Sequence, residues 1–183
     1  MQDDAATAER WVRSPPEDLT SAAAVAYFDR QQPVPVGALT GRWRGVELPT
    51  GHPFDGLLAA HRWYGKDFLD AERVHPLLFA DRAGRPYPVD PTHAPLGLLV
   101  RRPRLFRSAP ARAVSPVARR VLRTRRPAGR TRMVQHHDVA TAALVYDRLP
   151  VIDVLRRVTD DVLVGLMDMR GVRQPYLFLL VRD

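Results

Sequence analysis

The chain has 183 residues, 45 % of them hydrophobic, and a formal net charge of +8. This composition excludes a wholly disordered chain and allows one domain with a sizeable core. The absence of cysteine excludes a disulfide framework and a thiol nucleophile.

No targeting or membrane-spanning segment is predicted. The acidic start of the chain, Met1-Gln2-Asp3-Asp4, leads into no apolar stretch of the kind that a secretory signal contains. No apolar run approaches the roughly 20 residues that cross a bilayer. We therefore expect a cytoplasmic protein.

Residues 1–36 are predicted to form an N-terminal helical extension. Ser14-Pro15-Pro16-Glu17 has the pattern of a capping box with proline at the first helical position. Apolar residues follow at helical spacing over residues 19–26, and Pro33 ends this helix. A shorter helix is predicted over residues 5–12.

The first strand of the main domain is predicted over residues 39–48. It contains Gly41-Arg42-Trp43-Arg44-Gly45, in which Trp43 shares one face with the two glycines. A turn over residues 50–56 then leads into a helix. The apolar stripe of this helix runs from Phe54 to His61, and Gly65 can end the helix.

The remaining chain is predicted to be mainly β. Strands are expected over residues 74–80, 96–100, 132–136, 141–146, 162–169 and 176–182, with a short helix over residues 150–155. Residues 107–129 are predicted to form a long loop with one or two helical turns near residues 117–122. The fold class is therefore mainly β (β+α): a small antiparallel β-barrel with N-terminal helices and a helix after the first strand.

Residues 37–183 are expected to form one domain with three parts. These are a first part of about residues 37–100, an arginine-rich connection of about residues 101–130, and a β-meander of about residues 131–183.

Positive charge is concentrated between Arg101 and Arg132. This stretch has 12 arginines and no acidic residue, so it carries +12, and the other 16 basic and 20 acidic residues sum to −4. A GC-rich genome would explain arginine in place of lysine, of which Lys66 is the only one. It does not explain the missing acidic residues, which favour an anionic surface or a phosphate group as partner. Both explanations stay open.

Trp43 and Arg182 are predicted to close one end of the barrel. In small ligand-holding barrels an indole at the start of the first strand often covers the end, and a cation from the last strand stacks on its face. Such a contact contributes about 0.5–2 kcal/mol. We therefore expect the first and last strands to be neighbours.

Several motifs, in the right order, resemble the bacterial GXWXG family. They are Gly41-x-Trp43-x-Gly45, Thr50-Gly51-His52-Pro53-x-Asp55-Gly56, Trp63-Tyr64-Gly65-Lys66-x-Phe68 and Val74-His75-Pro76-Leu77. Later stretches, from Arg132-Met133-Val134 to Gln174-Pro175-Tyr176, resemble the domain of unknown function that usually follows it. The resemblance covers about residues 39–182 and implies a small β-barrel with lipocalin-like features, without a particular activity. The arginine-rich stretch looks longer than the connection usual in the family.

Candidate site residues are side chains that could face a barrel interior. Lys66 stands alone beside 27 arginines, which fits either the chance survival of one lysine or a chemical role such as a Schiff base or an anion contact. Asp153 and Asp168 are the candidate general acids or bases. The candidates for ligand binding are Trp63, Tyr64, His52, Tyr146 and Tyr176, among which His52 is favoured by the family resemblance. None of the six histidines forms a metal-ligand pattern, so we expect no metal. The sequence has no phosphate-cradling glycine loop and no dinucleotide fingerprint, so we expect no cofactor.

Three functions fit these observations. The first is an intracellular protein that binds a hydrophobic or amphipathic small molecule, such as a fatty acid or a lipid, in the barrel. The second is a cofactor-independent cyclase or isomerase of specialised metabolism, which works by positioning with one or two acids. The third is non-specific nucleic-acid binding through the arginine-rich segment. It is the least favoured, because Phe106 is the only aromatic residue there to stack a base.

Overall fold

The computed structural model describes residues 2–93, 95–108 and 122–183. Its strands are β1 (Gln32–Pro33), β2 (Gly41–Leu48), β3 (Trp63–Phe68), β4 (Val74–Ala80), β5 (Pro86–Pro88), β6 (Gly129–His136), β7 (Val139–Tyr146), β8 (Val151–Arg157), β9 (Val162–Met169) and β10 (Tyr176–Arg182). Its α-helices are α1 (Gln2–Arg13), α2 (Ser21–Asp29), α3 (Leu57–Ala60), α4 (Leu96–Arg101) and α5 (Pro103–Arg107). Among the described residues, no helix has the length and apolar character needed to cross a membrane.

Eight of these strands close into a ring. In hydrogen-bonded order they are β8, β7, β6, β4, β3, β2, β10 and β9, and β9 pairs again with β8. Every pairing is antiparallel, while β1 joins β8 and β5 joins β4 outside the ring. The fold is mainly β and antiparallel, as predicted, with β2 beside β10.

Alternating side chains give the strand ring an inner and an outer apolar face. In β10, Tyr176, Phe178 and Leu180 belong to the interior cluster, whereas Leu177 and Leu179 belong to a second cluster outside. This period of two follows from the pleat of a β-strand. A ring of eight strands has an interior that side chains fill or that holds one small ligand.

Helices α1 and α2 cover part of the outer face. Phe28 of α2 packs in the outer cluster, and Trp11 of α1 lies against Tyr27 with ring centroids 4.6 Å apart. Val34, which falls inside the predicted N-terminal extension, packs instead in the interior cluster. The extension and the ring therefore share core residues, and a domain boundary after residue 36 stays a prediction.

The predicted start of the second helix at Ser14 is wrong. Helix α2 begins at Ser21, where the Thr20 side chain accepts a hydrogen bond from the Ala23 N–H group. Proline disfavours helical geometry in the residue before it, and two prolines follow Ser14 in succession. Helix α1 forms as expected, over more residues than predicted.

Two further element predictions are wrong, and one predicted helix is shorter than expected. Residues 96–100 lie in helix α4 rather than in a strand, and residues 150–155 lie mostly in strand β8 rather than in a helix. Both are short apolar runs, whose pattern does not separate the two states. The predicted helix after the first strand is present but ends at Ala60, and β3 follows it. The helical turns predicted near residues 117–122 lie outside the described residues except at residue 122.

The two glycines around Trp43 have different structural roles. Gly41 has a φ of +75°, which glycine adopts without strain. Gly45 leaves space for the indole of Trp63, since a Cβ atom at Gly45 would overlap that ring. The second glycine of the motif therefore shapes the interior of the ring.

Candidate functional site

A cavity of about 110 Å³ lies inside the strand ring. Leu57 of α3 and Leu99 of α4 contribute to its cover, and most of its wall is apolar. The polar side chains that line it are Lys66, Tyr146, Asp153 and Tyr176. This interior space is the candidate site.

Lys66, Asp153 and Tyr146 form one hydrogen-bonded cluster on the cavity wall. Lys66 Nζ donates to Asp153 Oδ2 at 2.6 Å and to the Pro76 carbonyl oxygen at 3.2 Å. It also lies 3.4 Å from the Tyr146 hydroxyl oxygen, and that hydroxyl donates to the same Asp153 oxygen at 3.1 Å. The Lys66 and Asp153 side chains are only 3 % and 1 % exposed, so the cluster contains a buried ion pair.

The surroundings of this ion pair are unusual for charged groups. The Phe178 ring centroid lies 4.9 Å from Lys66 Nζ, and the rings of Trp63 and Tyr146 lie within 6 Å. Removing two charges from water costs several kcal/mol per ion, which close pairing and further hydrogen bonds offset. A buried ion pair is therefore weak evidence for stability, and its place on a cavity wall favours a role toward a ligand.

The proton positions in the cluster follow from burial and charge. Burial, together with the Asp153 charge, raises the pKa of Tyr146 well above its ordinary value. Tyr146 therefore stays protonated at neutral pH and directs its proton at Asp153. The three N–H groups of the Lys66 ammonium bond to Asp153, Pro76 and Tyr146. A ligand oxygen can accept a hydrogen bond from Lys66 by replacing the Tyr146 hydroxyl, whose contact of 3.4 Å is the longest of the three.

A bulge in β3 brings Lys66 to the interior beside Trp63. The pairing of β3 with β4 changes register between Trp63 and Gly65 and again between Gly65 and Asp67. In a regular strand, Trp63 and Lys66 would point to opposite faces because they are three residues apart. The bulge places both on the interior face.

A second carboxylate–tyrosine pair, Glu47 and Tyr176, lies on the interior side of β2 and β10. The Tyr176 hydroxyl donates to Glu47 Oε1 at 2.5 Å, and the N–H groups of Leu58 and Ala59 donate to the same carboxylate. Burial raises the pKa of Glu47, and burial with the Glu47 charge raises the pKa of Tyr176. Sequence reasoning missed Glu47, whose only signal was an acidic residue at an inward strand position.

His52 lies behind the cavity wall rather than on it. Its ring packs against Tyr176 with centroids 5.4 Å apart, and its Nδ1 accepts a hydrogen bond from the Phe54 N–H group at 3.0 Å. Burial lowers the pKa of His52 to about 4, although the backbone of Gln174 partly opposes this. The histidine is therefore neutral near pH 7 and orders the loop next to the site.

The structure brings five of the eight predicted catalytic and ligand-binding residues to the cavity and leaves three elsewhere, His52 among them. Trp63, Lys66, Tyr146, Asp153 and Tyr176 all line the cavity. The Tyr64 hydroxyl instead lies 2.7 Å from the Asp183 carboxylate, away from the interior. Asp168 is exposed, because its neighbours Met167 and Met169 line the cavity and β9 alternates.

Trp43 and Arg182 meet at one end of the ring. They are paired residues of β2 and β10, and the Arg182 guanidinium carbon lies 4.2 Å from the centroid of the Trp43 ring. Trp43 is 1 % exposed, and the Thr40 carbonyl oxygen accepts hydrogen bonds from both side chains. This is the contact that the sequence argument for barrel closure expected.

The described part of the arginine-rich segment packs beside the cavity. Phe106 of α5 packs against the interior cluster, so it does not offer an exposed ring for base stacking. In the part of the chain that the structure describes, no three His, Asp or Glu side chains are grouped to hold a metal ion.

Comparisons with known proteins support the resemblance. The family model for GXWXG protein matches residues 26–84, and that for a domain of unknown function, DUF4334, matches residues 127–182. The chain thus carries both regions in the order that its motifs predicted. It is also similar to a protein from Thermomonospora curvata of known crystal structure, with 28 % identity over 99 % of both chains and a TM-score of 0.73. No curated protein matches the chain.

Proposed function

We propose that this protein binds one compact, largely apolar small molecule in the cavity of the strand ring, with the Lys66–Asp153–Tyr146 cluster as its polar contact. The observation that carries the proposal is a buried ion pair on the wall of an otherwise apolar cavity. A few placed polar groups in an apolar pocket are what orients a small ligand. The lack of cysteine supports the cytoplasmic location that we propose with it.

The charges around the cavity favour a ligand with a neutral polar group. Lys66 is already paired with Asp153, and Glu47 lies behind Tyr176. A ligand carboxylate in the cavity would add a buried negative charge without a free cation, which is costly. A carbonyl or hydroxyl oxygen could instead replace the Tyr146 hydroxyl as the third hydrogen-bond acceptor of Lys66, without changing the charge.

The size of the cavity favours a compact ligand. An apolar protein cavity of about 150 Å³ accommodates benzene, and the present one has about 110 Å³. A fatty acid or lipid, the wider class expected from the sequence, needs a larger space. Displacement of α4, which contributes Leu96 and Leu99 to the lining, would provide it.

The test is a titration with benzene or xenon followed by NMR of the side-chain methyl groups, together with native mass spectrometry of gently purified protein. We expect shifts confined to cavity-lining residues, and a bound small molecule in the mass spectrum. Leu99→Trp should fill the cavity and abolish the shifts. Its matched control is Leu98→Trp on the same helix, since Leu98 is 46 % exposed and lines no part of the cavity.

Two results would count against ligand binding. One is a wild-type protein that shows neither a co-purified molecule nor any response to benzene and xenon. The other is an equal response in the Leu99→Trp and Leu98→Trp variants, which would place the probe outside the cavity.

A second candidate function, a cofactor-independent isomerase or cyclase, is favoured by one specific observation. Lys66 and Asp153, a potential acid and base, face the same cavity at 2.6 Å from each other. Such a pair can promote proton transfer within a bound molecule, and an enclosed site contributes by positioning it.

The two functions differ in what happens to the ligand. A binding protein should release the same compound from the wild type and from Asp153→Asn. An isomerase should release product from the wild type and retain an isomeric substrate, of equal mass and different chromatographic retention, in the variant. Identical compounds from both would remove the enzyme proposal.

A further inference from the structure

Helices α4 and α5 carry a surface that combines arginine with exposed leucine. We call it the α4–α5 surface and define it by Leu98, Arg101, Arg102, Arg104 and Leu105. Residues 95–108 contain four arginines and no acidic residue. The segment therefore carries a local charge of +4, close to the cavity cover.

The leucines of this surface are unusually exposed. Leu98 is 46 % exposed and Leu105 is 58 % exposed. Among the described residues only two other large apolar side chains, Leu69 and Met133, are exposed to a similar extent. Half of these side chains thus lie within one short basic segment.

Three arginines of the surface form no ion pair among the described residues. Among the described residues, no carboxylate forms an ion pair with Arg101, Arg102 or Arg104, although many other arginines of the chain are paired in this way. Together with the loop that contains Gly51, they line an open groove of about 960 Å³.

The inner side of the segment is fixed to the ring. Arg107 donates a hydrogen bond of 2.5 Å to the Asp55 carbonyl oxygen, and His61 Nε2 donates one of 2.9 Å to the Phe106 carbonyl oxygen. Phe106 also packs against the interior cluster. The basic and leucine side chains are therefore held on the outside.

We infer that the α4–α5 surface docks on an anionic lipid surface. Arginine side chains bind lipid phosphates, while exposed leucines insert at the boundary between headgroups and acyl chains. A free phosphate would leave the leucines without a role, and a nucleic acid would be expected to meet aromatic side chains rather than leucines. Charge and apolar character together thus favour a membrane surface over either.

Docking in this way would place the cover of the cavity next to the lipid. Leu96 and Leu99 of the same helix line the cavity, and Leu98 and the arginines face outward. An apolar ligand would then pass between lipid and cavity without crossing water. The lipid contact itself does not depend on what the cavity binds.

The experiment is co-sedimentation of the full chain with vesicles of phosphatidylcholine, with and without phosphatidylglycerol. We expect binding to the anionic vesicles only, with an affinity that falls as salt rises. Each arginine of the surface changed to alanine should weaken binding about fivefold. The matched control is Arg10→Ala, at an exposed arginine on α1 whose side chain hydrogen-bonds to Thr7.

The leucines separate lipid docking from simple charge attraction. Leu98→Ser with Leu105→Ser should weaken binding to anionic vesicles by about tenfold or more. Leu69→Ser with Met133→Ser removes as much exposed apolar surface elsewhere and should leave binding unchanged.

Three results would overturn the inference: no binding to anionic vesicles at low salt, equal effects of the two double variants, or tighter binding to single-stranded nucleic acid than to vesicles. The benzene titration described above should be unaffected in Leu98→Ser with Leu105→Ser. A failure of lipid docking is therefore distinguishable from a failure of ligand binding.

Discussion

Lys66 on the inner face of the strand ring and Arg156 on its outer face are both almost fully buried, with exposed fractions of 2 % and 1 %. Lys66 lies 2.6 Å from the Asp153 carboxylate. Arg156 donates instead to the His136 carbonyl oxygen at 3.3 Å, and its guanidinium carbon lies 5.4 Å from the centroid of the Phe28 ring. No carboxylate of the described residues forms an ion pair with it.

This difference follows from the chemistry of the two cations. A guanidinium spreads its charge over a plane, is weakly hydrated and stacks on aromatic rings, so Arg156 tolerates burial in the outer core. An ammonium is a compact and strongly hydrated charge, so Lys66 requires a carboxylate. The outer cation acts as a packing residue, whereas the inner one forms a charged cluster on the cavity wall.

Removing the partner of the inner cation should have the largest effect. Asp153→Ala leaves Lys66 buried without a carboxylate and should lower the free energy of unfolding by about 3–5 kcal/mol. Asp29→Ala is the outer-face control, because Asp29 pairs with the exposed ring of His137, and it should cost less than about 1 kcal/mol. Urea unfolding measures both free energies. Similar losses in the two variants would show that the inner ion pair does not matter more to stability than the exposed outer one.

The double variant Lys66→Met with Asp153→Leu provides a further check on the same pair. Replacing a buried ion pair by apolar side chains is often neutral or stabilising, so the protein should fold while losing the polar contact for a ligand. A double variant as unstable as Asp153→Ala would show that the ion pair makes a net contribution to the stability of the strand ring.

His52 should produce the next largest effect, through pH. Its pKa is lowered from 6.5 to about 4 by burial, so the unfolded chain binds the proton more tightly. The stabilisation is fully present above about pH 6.5 and is lost as the pH falls toward about 4, by about 3 kcal/mol in total. Glu47, whose pKa is raised by burial, acts in the opposite direction.

The contribution of His52 is isolated by a comparison of variants. The free energy of unfolding of the wild type should decrease over this pH window more steeply than that of His52→Gln. His136→Gln tests the outer face, where burial also lowers a histidine pKa. Parallel pH profiles for the wild type and His52→Gln would contradict the buried, neutral state of His52.

Gly45→Ala should have an intermediate effect confined to the inner face. The new methyl group would overlap the Trp63 ring, and overpacking of this kind costs about 1–3 kcal/mol. Arg44→Ala, at the exposed neighbouring position, should change stability by less than about 0.5 kcal/mol. Thermal unfolding gives both values, and NMR shows whether the Trp63 signals move. Unchanged Trp63 signals in Gly45→Ala would mean that the Trp63 indole does not need the space that Gly45 leaves.

Arg182→Ala tests the end of the ring and should have the smallest effect. It removes the stacking on Trp43, worth about 0.5–1 kcal/mol at a partly exposed site, and an exposed bond to Asp161. Arg182→Gln keeps most of the aliphatic stem and serves as a comparison. A loss of stability in urea unfolding as large as that of Gly45→Ala would contradict this prediction. It would indicate that Arg182 contributes to the core as much as an interior residue does.

Much of the fold could be predicted from the sequence because the pattern of β2 and β10 is local. The Gly-x-Trp-x-Gly pattern of residues 41–45 and the continuous apolar run of residues 176–181 identify the two strands. Trp43 with Arg182 indicates that they are neighbours. β3 was not predictable in this way, since Lys66 occupies an inward position and a bulge interrupts the alternation.

The candidate site was predictable only in part, for a different reason. Lys66 and Asp153 are far apart in the chain and meet through the pairing order of the ring, which no residue spacing reveals. Asp153 fell within a predicted helix, so its inward orientation could not be anticipated. Glu47 gave no signal beyond its position in β2, because its partner Tyr176 comes from β10.

The position of β10 in the ring has a consequence for how the chain folds. β10 is the last strand in chain order, yet it lies between β2 and β9. Until it is added, both of these strands present unpaired backbone groups that can join other chains. The pairing of β10 with β2 joins distant parts of the chain, and non-local contacts of this kind slow folding relative to proteins with mainly local contacts. Aggregation before β10 has docked is therefore the main hazard of this strand order.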